Sequence, residues 1–387
     1  MRTNRDVGPG IVKYMGSKRV MLQNGLGELI RRESATAVRI VDLFAGGGSV
    51  AWFAAQETDL PVTAVDLQQY SCALSAAVIA RTENADADDI KRGWLTAVDK
   101  HRRAITVWQQ AVSLDTTSNI VDRVTKSRSL CCHYPQAGPV CRSYGGHYFS
   151  PSQALTLDVM LEQLPTEPDK RAICLAAAIM SASKCAAAPG HTAQPFQPTA
   201  SASKYLIEAW SRDPAGTCGQ ALDLICPRYA RSRGEALVAD AIDFACTLNT
   251  TDLVIVDPPY TDVQYSRFYH VLETVAQGGC SAVGGVGRYP PREERPQSEF
   301  SKRAGARPAI TRLLRAICDS GATCILTFPQ CQAGNGLSGR GIADIAREMF
   351  TVTEQVYRSH FSTMGGNNVG REARRESEEL ILLLKPQ

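Results

Sequence analysis

Leu253-Val254-Ile255-Val256-Asp257-Pro258-Pro259-Tyr260 joins four consecutive apolar residues to a rigid polar turn. An apolar run of that length suits a strand buried on both faces, as in the middle of a parallel sheet. The two prolines fix φ at about −65° and bar helix or strand from continuing. A central strand therefore ends at Asp257, with the Asp-Pro-Pro-Tyr loop at its carboxyl end.

Upstream, residues 38–44 (VRIVDLF) read as another strand, followed by a glycine-rich turn at 45–49 and a helix at 50–56. Residues 62–66 (VTAVD) form the next strand, and 71–81 an apolar helix. Strands alternating with helices predict a parallel sheet covered on both faces. That rhythm stops near Asp86. Through Arg233 the chain reads as helices and loops, with helices expected at 154–164, 170–186, 204–212 and 220–231. Strands resume at 236–240, 253–256 and 323–327, with a final pair near 351–361 and 379–384. The expected fold class is α/β: a core of residues 1–85 and 234–387 around an inserted, mainly helical domain at 86–233.

The 387 residues are 44% hydrophobic and 21% charged, the composition of a globular enzyme. No apolar run approaches the ~20 residues of a membrane helix. Residues 1–10 are polar and lack the apolar core of a secretory signal, so a cytoplasmic protein is expected. Cys174, Cys226, Cys246, Cys318 and Cys324 sit in apolar segments and are expected as reduced core thiols. The group Cys131, Cys132, His133, Cys141 and His147 lacks the paired spacing of a zinc site, so no metal is expected.

A formal net charge of +3 excludes a polycation, leaving nucleic-acid contacts to local patches. One is an expected loop at 288–307, whose Arg288, Arg292, Lys302 and Arg303 are candidate DNA contacts beside Arg295 and Arg307. Another surrounds Arg371, Arg374 and Arg375. A solvated surface explains both patches on charge alone.

Ligands of open α/β sheets bind beyond the carboxyl ends of the strands. There, Asp42, Phe44, Ala45, Gly46 and Gly48 form a strand-to-helix turn where backbone can approach a cofactor closely. Gly46-Gly47-Gly48 does not match the spaced G-x-G-x-x-G of a pyrophosphate cradle. Asp66 ends the next strand, where an acid can accept hydrogen bonds from a ribose or cap the following helix. At the other strand end, Asp257 and the Pro258 carbonyl could accept the two N–H bonds of a planar exocyclic amine. That favours a more sp³-like nitrogen with an available lone pair. Tyr260 could stack on a base drawn out of its helix.

These residues resemble the DNA adenine-N6 methyltransferases of the amino-methylating D12 class, in their alpha arrangement. Lys13-Tyr14-Met15-Gly16-Ser17-Lys18 is similar to the family's N-terminal motif, with Gly-Ser in place of the commoner Gly-Gly. Phe44-Ala45-Gly46-Gly47-Gly48 resembles its cofactor loop, and Asp257-Pro258-Pro259-Tyr260 its catalytic tetrapeptide. The resemblance implies a Rossmann-like sheet that binds S-adenosylmethionine. It also implies that 86–233 is a target-recognition domain. Cofactor contacts are implied for Tyr14, Gly16, Lys18, Asp42, Phe44, Ala45, Gly46, Gly48, Asp66, Leu67, Asp240 and Ala241. Catalysis is implied for Asp257, Pro258, Pro259 and Tyr260. The implied partner is duplex DNA, read by a monomer, with a cognate restriction endonuclease as a candidate companion.

Other readings compete. An RNA adenine methyltransferase would share the chemistry. A protein-glutamine methyltransferase would more often carry Asn before Pro-Pro-Tyr. A non-catalytic nucleic-acid-binding module would not require Asp257 and Tyr260. A nicotinamide oxidoreductase would have a differently spaced glycine turn.

Overall fold

The computed structural model describes residues 12, 18–362 and 374–387, with side chains for all of these except 358–362 and 374–377. Tyr14, Gly16, Arg371 and the glycine pair at 365–366 lie outside the described residues. The fold is mixed α/β, built on a seven-stranded sheet in the order β3-β2-β1-β4-β5-β7-β6. The strands are β1 (Arg39–Asp42), β2 (Val62–Asp66), β3 (Glu235–Val238), β4 (Asp252–Val256), β5 (Thr323–Pro329), β6 (Phe350–Ser362) and β7 (Arg374–Pro386). Strands β1 to β5 run parallel, whereas β7 is antiparallel to both β5 and β6.

Alternation along the strands sorts the core into two layers. Ile40, Val62, Ala64, Leu253, Ile255 and Ile325 point to one face, where helices Ser49–Glu57 and Gln69–Ile79 cover them. Val41, Val65, Val254, Val256, Cys324 and Leu326 point to the other, against helices Ala241–Ala245, Arg303–Ser320 and Gly339–Arg347. Burial on both sides explains why these strands read as apolar runs.

Most helices between β2 and β3 join the apolar cluster on the first face, while Leu206, Ala209 and Trp210 form a separate small cluster with Val124 and Ala187. Helix Pro168–Cys185 packs against Gln69–Ile79 and His270–Gln277, and one continuous apolar cluster joins it to the sheet. Local chemistry sets the helix starts. Ser150 and Gln153 form a reciprocal capping box, while Asn119 and Asp213 accept N-terminal amides of their helices.

Several expectations need correction. Cys174, Cys226 and Cys324 are buried, but Cys246 is exposed and Cys318 only partly covered. Cys246 follows the last turn of a five-residue helix, too short to cover it. The basic stretch is not all loop. Arg303 and Arg307 lie on helix Arg303–Ser320, whose apolar face, including Ala306, Ala309, Ile310 and Leu313, buries against the sheet. Packing overrides the polar composition of its first turn.

Candidate active site

β1 lies between β2 and β4, and the chain runs from it toward both edges of the sheet. The switch point opens a crevice at the carboxyl ends. Asp42 pairs with Ala64 on one side and Ile255 on the other, so two residues later Phe44, Asp66 and Asp257 stand level.

A cleft open to solvent occupies this position. Phe44, Asp66, Leu67, Asp240 and Ala241 line it. So do Asp257, Pro258, Pro259 and Tyr260, with Tyr265 and Phe300. Phe44 and Phe300 meet edge to face at 5.1 Å.

The glycine turn has the backbone that its composition suggests. Gly46 and Gly48 take φ of 50° and 78°, a region where a Cβ is strained. The Gly46 N–H donates to Asp66 Oδ2, and Gln68 N–H to Asp66 Oδ1, each at 2.9 Å. Burial lifts the Asp66 carboxyl above its ordinary value, against these hydrogen bonds. Asp42 is fully enclosed. Its Oδ1 accepts from Phe44 N–H at 3.3 Å, while Oδ2 is buried without a partner among the described residues. Burial pushes its pKa to about 7, with further push from Asp257 and Asp66. Asp240 accepts from Ile242 N–H at 2.8 Å, so it caps a helix while facing the cleft.

In the tetrapeptide motif, Asp257 Oδ1 lies 3.0 Å from Lys18 Nζ and accepts from the Thr327 hydroxyl at 2.9 Å. Its Oδ2 and the Pro258 carbonyl accept no hydrogen bond among the described residues. Burial raises the Asp257 carboxyl, and Lys18 pulls it down. Lys18 also reaches Glu379 Oε2 on β7 at 2.8 Å. Burial works against its charge, but Asp257 and Glu379 outweigh burial and raise its pKa.

Sequence reasoning missed the residues that fix the tetrapeptide. Buried Asn335 donates through Nδ2 to the Pro259 carbonyl at 2.8 Å and to the Phe300 carbonyl at 3.0 Å. The Gln264 amide exchanges two hydrogen bonds with Ser298 backbone, at 2.9 and 2.7 Å. Glu273 accepts from Gln69 and Tyr70 N–H at 2.9 and 3.1 Å, tying the helix after β4 to the helix after β2. Buried Tyr269 belongs to the core, beside Tyr70 and Tyr265.

The four candidate DNA contacts lie in different settings. Arg288 donates to the Ser143 carbonyl at 2.9 Å, Lys302 pairs with Glu299, and Arg303 lies 3.3 Å from Asp262. Arg292 is exposed. Among the described residues, no three His, Cys, Asp or Glu side chains group as a metal site. Nor is any helix there long and apolar enough to cross a membrane.

Comparison with curated proteins gave no match. Residues 14–107, a segment holding Lys18, the glycine turn and Asp66 but ending before Asp257, match the family model of the D12 class N6 adenine-specific DNA methyltransferases, and over that segment the chain is similar to this family.

Proposed function

We propose that the chain transfers a methyl group from S-adenosylmethionine to N6 of an adenine flipped out of duplex DNA. One observation carries this reading: Asp257 Oδ2 and the Pro258 carbonyl are two unused acceptors in the same cleft as Asp66 and Asp240.

The residues fit the cofactor. The orphaned Asp42 Oδ2 suits the cationic ammonium of its methionine portion, since a buried acceptor without a partner is unfavourable. Asp66 would accept from the ribose hydroxyls, Asp240 would lie near the adenine, and the glycine turn leaves the backbone open to close approach. Bound there, S-adenosylmethionine supplies an electrophilic sulfonium methyl.

Asp257 Oδ2 and the Pro258 carbonyl would hold the two N6 hydrogens and draw the lone pair out of conjugation. Lys18 and Thr327 keep Asp257 Oδ1 occupied, so the free oxygen is the one offered to the amine. Charge stabilisation would fall where positive charge develops on nitrogen as the N–C bond forms and the methyl–sulfur bond breaks, with a neutral thioether leaving and the surplus nitrogen proton passing to Asp257 or water. Tyr260 would stack on the extruded base, which chemistry on a paired base requires. Residues 1–85 and 234–387 would act as the Rossmann-like catalytic core, with 86–233 reading the target sequence in the groove.

Asp257→Ala tests the mechanism. Methyl transfer should vanish while cofactor affinity and melting temperature stay close to wild type. Undiminished turnover in that variant would remove Asp257 from the chemistry.

A further inference from the structure

Immediately beyond the tetrapeptide, Arg267 occupies the short helix Tyr265–Phe268, next to Ser266, which lines the cleft. Arg295 precedes Pro296, another lining residue. The two guanidiniums converge on one aromatic ring. The Cζ of Arg267 lies 5.0 Å from the Tyr289 ring centroid and that of Arg295 5.4 Å. The ring itself is held: the Tyr289 hydroxyl donates to the Ala193 carbonyl, its backbone bridges to Gly284, and His270 packs against it at 4.8 Å.

Such convergence normally brings in a carboxylate. Here Arg267 Nε donates to the Tyr289 hydroxyl at 3.1 Å and Arg295 Nε to the Pro290 carbonyl at 3.1 Å. Neither guanidinium makes an ion pair with a carboxylate among the described residues. Burial, then Arg267 and Arg292, depress the Arg295 pKa, and Tyr289 and Glu293 only temper this. Two cations held near each other with no ion-paired carboxylate are unfavourable unless a ligand supplies the charge. Of the basic side chains expected to meet DNA, Arg288 is tied to the Ser143 carbonyl and Lys302 and Arg303 make surface ion pairs, whereas these two are pre-oriented by a shared ring.

We propose that Arg267 and Arg295, oriented by Tyr289, form a phosphodiester-binding site on the rim of the base pocket that grips the duplex backbone beside the flipped nucleotide. The assignment rests on the DNA-methylation reading above. Guanidinium forks match phosphate oxygens in geometry and charge, and contacts to the backbone fix register without reading sequence. A grip next to the pocket would hold the strand while the base is out of the stack.

The test is the salt dependence of binding to an unmethylated duplex oligonucleotide, for wild type and for Arg267→Gln/Arg295→Gln. Each lost phosphate contact should lower the magnitude of the slope of log K against log salt by about 0.9, so the double variant, which loses the one site, should lose about that much. Its affinity at low salt should fall at least ~tenfold, with cofactor affinity unchanged. Arg267→Lys/Arg295→Lys, which keeps the charges, should retain most of the slope. An unchanged slope and affinity in the glutamine variant, with wild type binding normally, would overturn this assignment alone. Failure of the wild type to bind duplex DNA would overturn both the assignment and the reading beneath it.

Discussion

Lys18 and Asp257, 239 positions apart in sequence, meet at 3.0 Å, and Glu379 holds the far side of the same ammonium at 2.8 Å. Lys18 is almost wholly buried, whereas the Asp257 side chain keeps about 20% of its surface exposed toward the cleft. The lysine thus anchors one carboxylate oxygen and leaves the other available. Lys18→Met should strand two carboxylates at low exposure, costing ~3–5 kcal/mol of stability. Adding Glu379→Leu should restore part of the melting temperature without restoring turnover. Full recovery of turnover in the double variant would show that Lys18 does not position Asp257.

Asn335 spans the tetrapeptide and Phe300 with one amide. Asn335→Ala removes both links and leaves the Pro259 carbonyl without this donor. Turnover should drop by one to two orders of magnitude while cofactor affinity changes little, because positional errors near 1 Å can cost about 10²-fold. A loss confined to cofactor affinity would place Asn335 elsewhere in the mechanism.

Asp42 gives the site a pH signature. Its folded pKa of about 7 exceeds the ordinary 3.8, so its contribution to stability is present at low pH and lost as pH rises through about 7. The same ionisation creates the partner for a bound ammonium. Cofactor affinity should therefore rise ~tenfold between about pH 5.5 and about pH 7, below the usual titration of an α-amine. Asp42→Asn should flatten that rise. Asp158, also pushed to about 7 by burial, sits in the helical layer and acts equally in both proteins. A parallel pH profile in the variant would exclude Asp42 from the cofactor contact.

Glu273 accepts two helix-start amides and one side-chain donor from Gln277. Glu273→Gln substitutes a donor for one acceptor and should cost ~1–3 kcal/mol, read as a lowered melting temperature. An unaltered melting temperature would show that the two helices are coupled by packing alone.

Much of this was legible because its signals are local. Residues 62–66 and 253–256 announce buried strands by their apolar runs, and the proline pair marks where β4 must stop. Helix Arg303–Ser320 reads partly as a basic loop in sequence because its polar first turn hides an apolar face that only the sheet organises. Asn335, Gln264 and Glu379 were illegible for another reason. Their partners lie 34 to 361 residues away, and an isolated amide or carboxylate carries no record of such pairing. The same holds for the arginines: composition counts Arg288, Arg303 and Arg267 alike, but folding engages the first two and orients the third over Tyr289.

The most direct measurement is transfer of labelled methyl from S-adenosylmethionine to unmethylated duplex DNA, RNA and protein in parallel, followed by nucleoside and amino-acid analysis. The account predicts label in duplex DNA, recovered as N6-methyladenine and absent with Asp257→Ala. Label recovered only in RNA or protein, or none in any substrate despite bound cofactor, would contradict it.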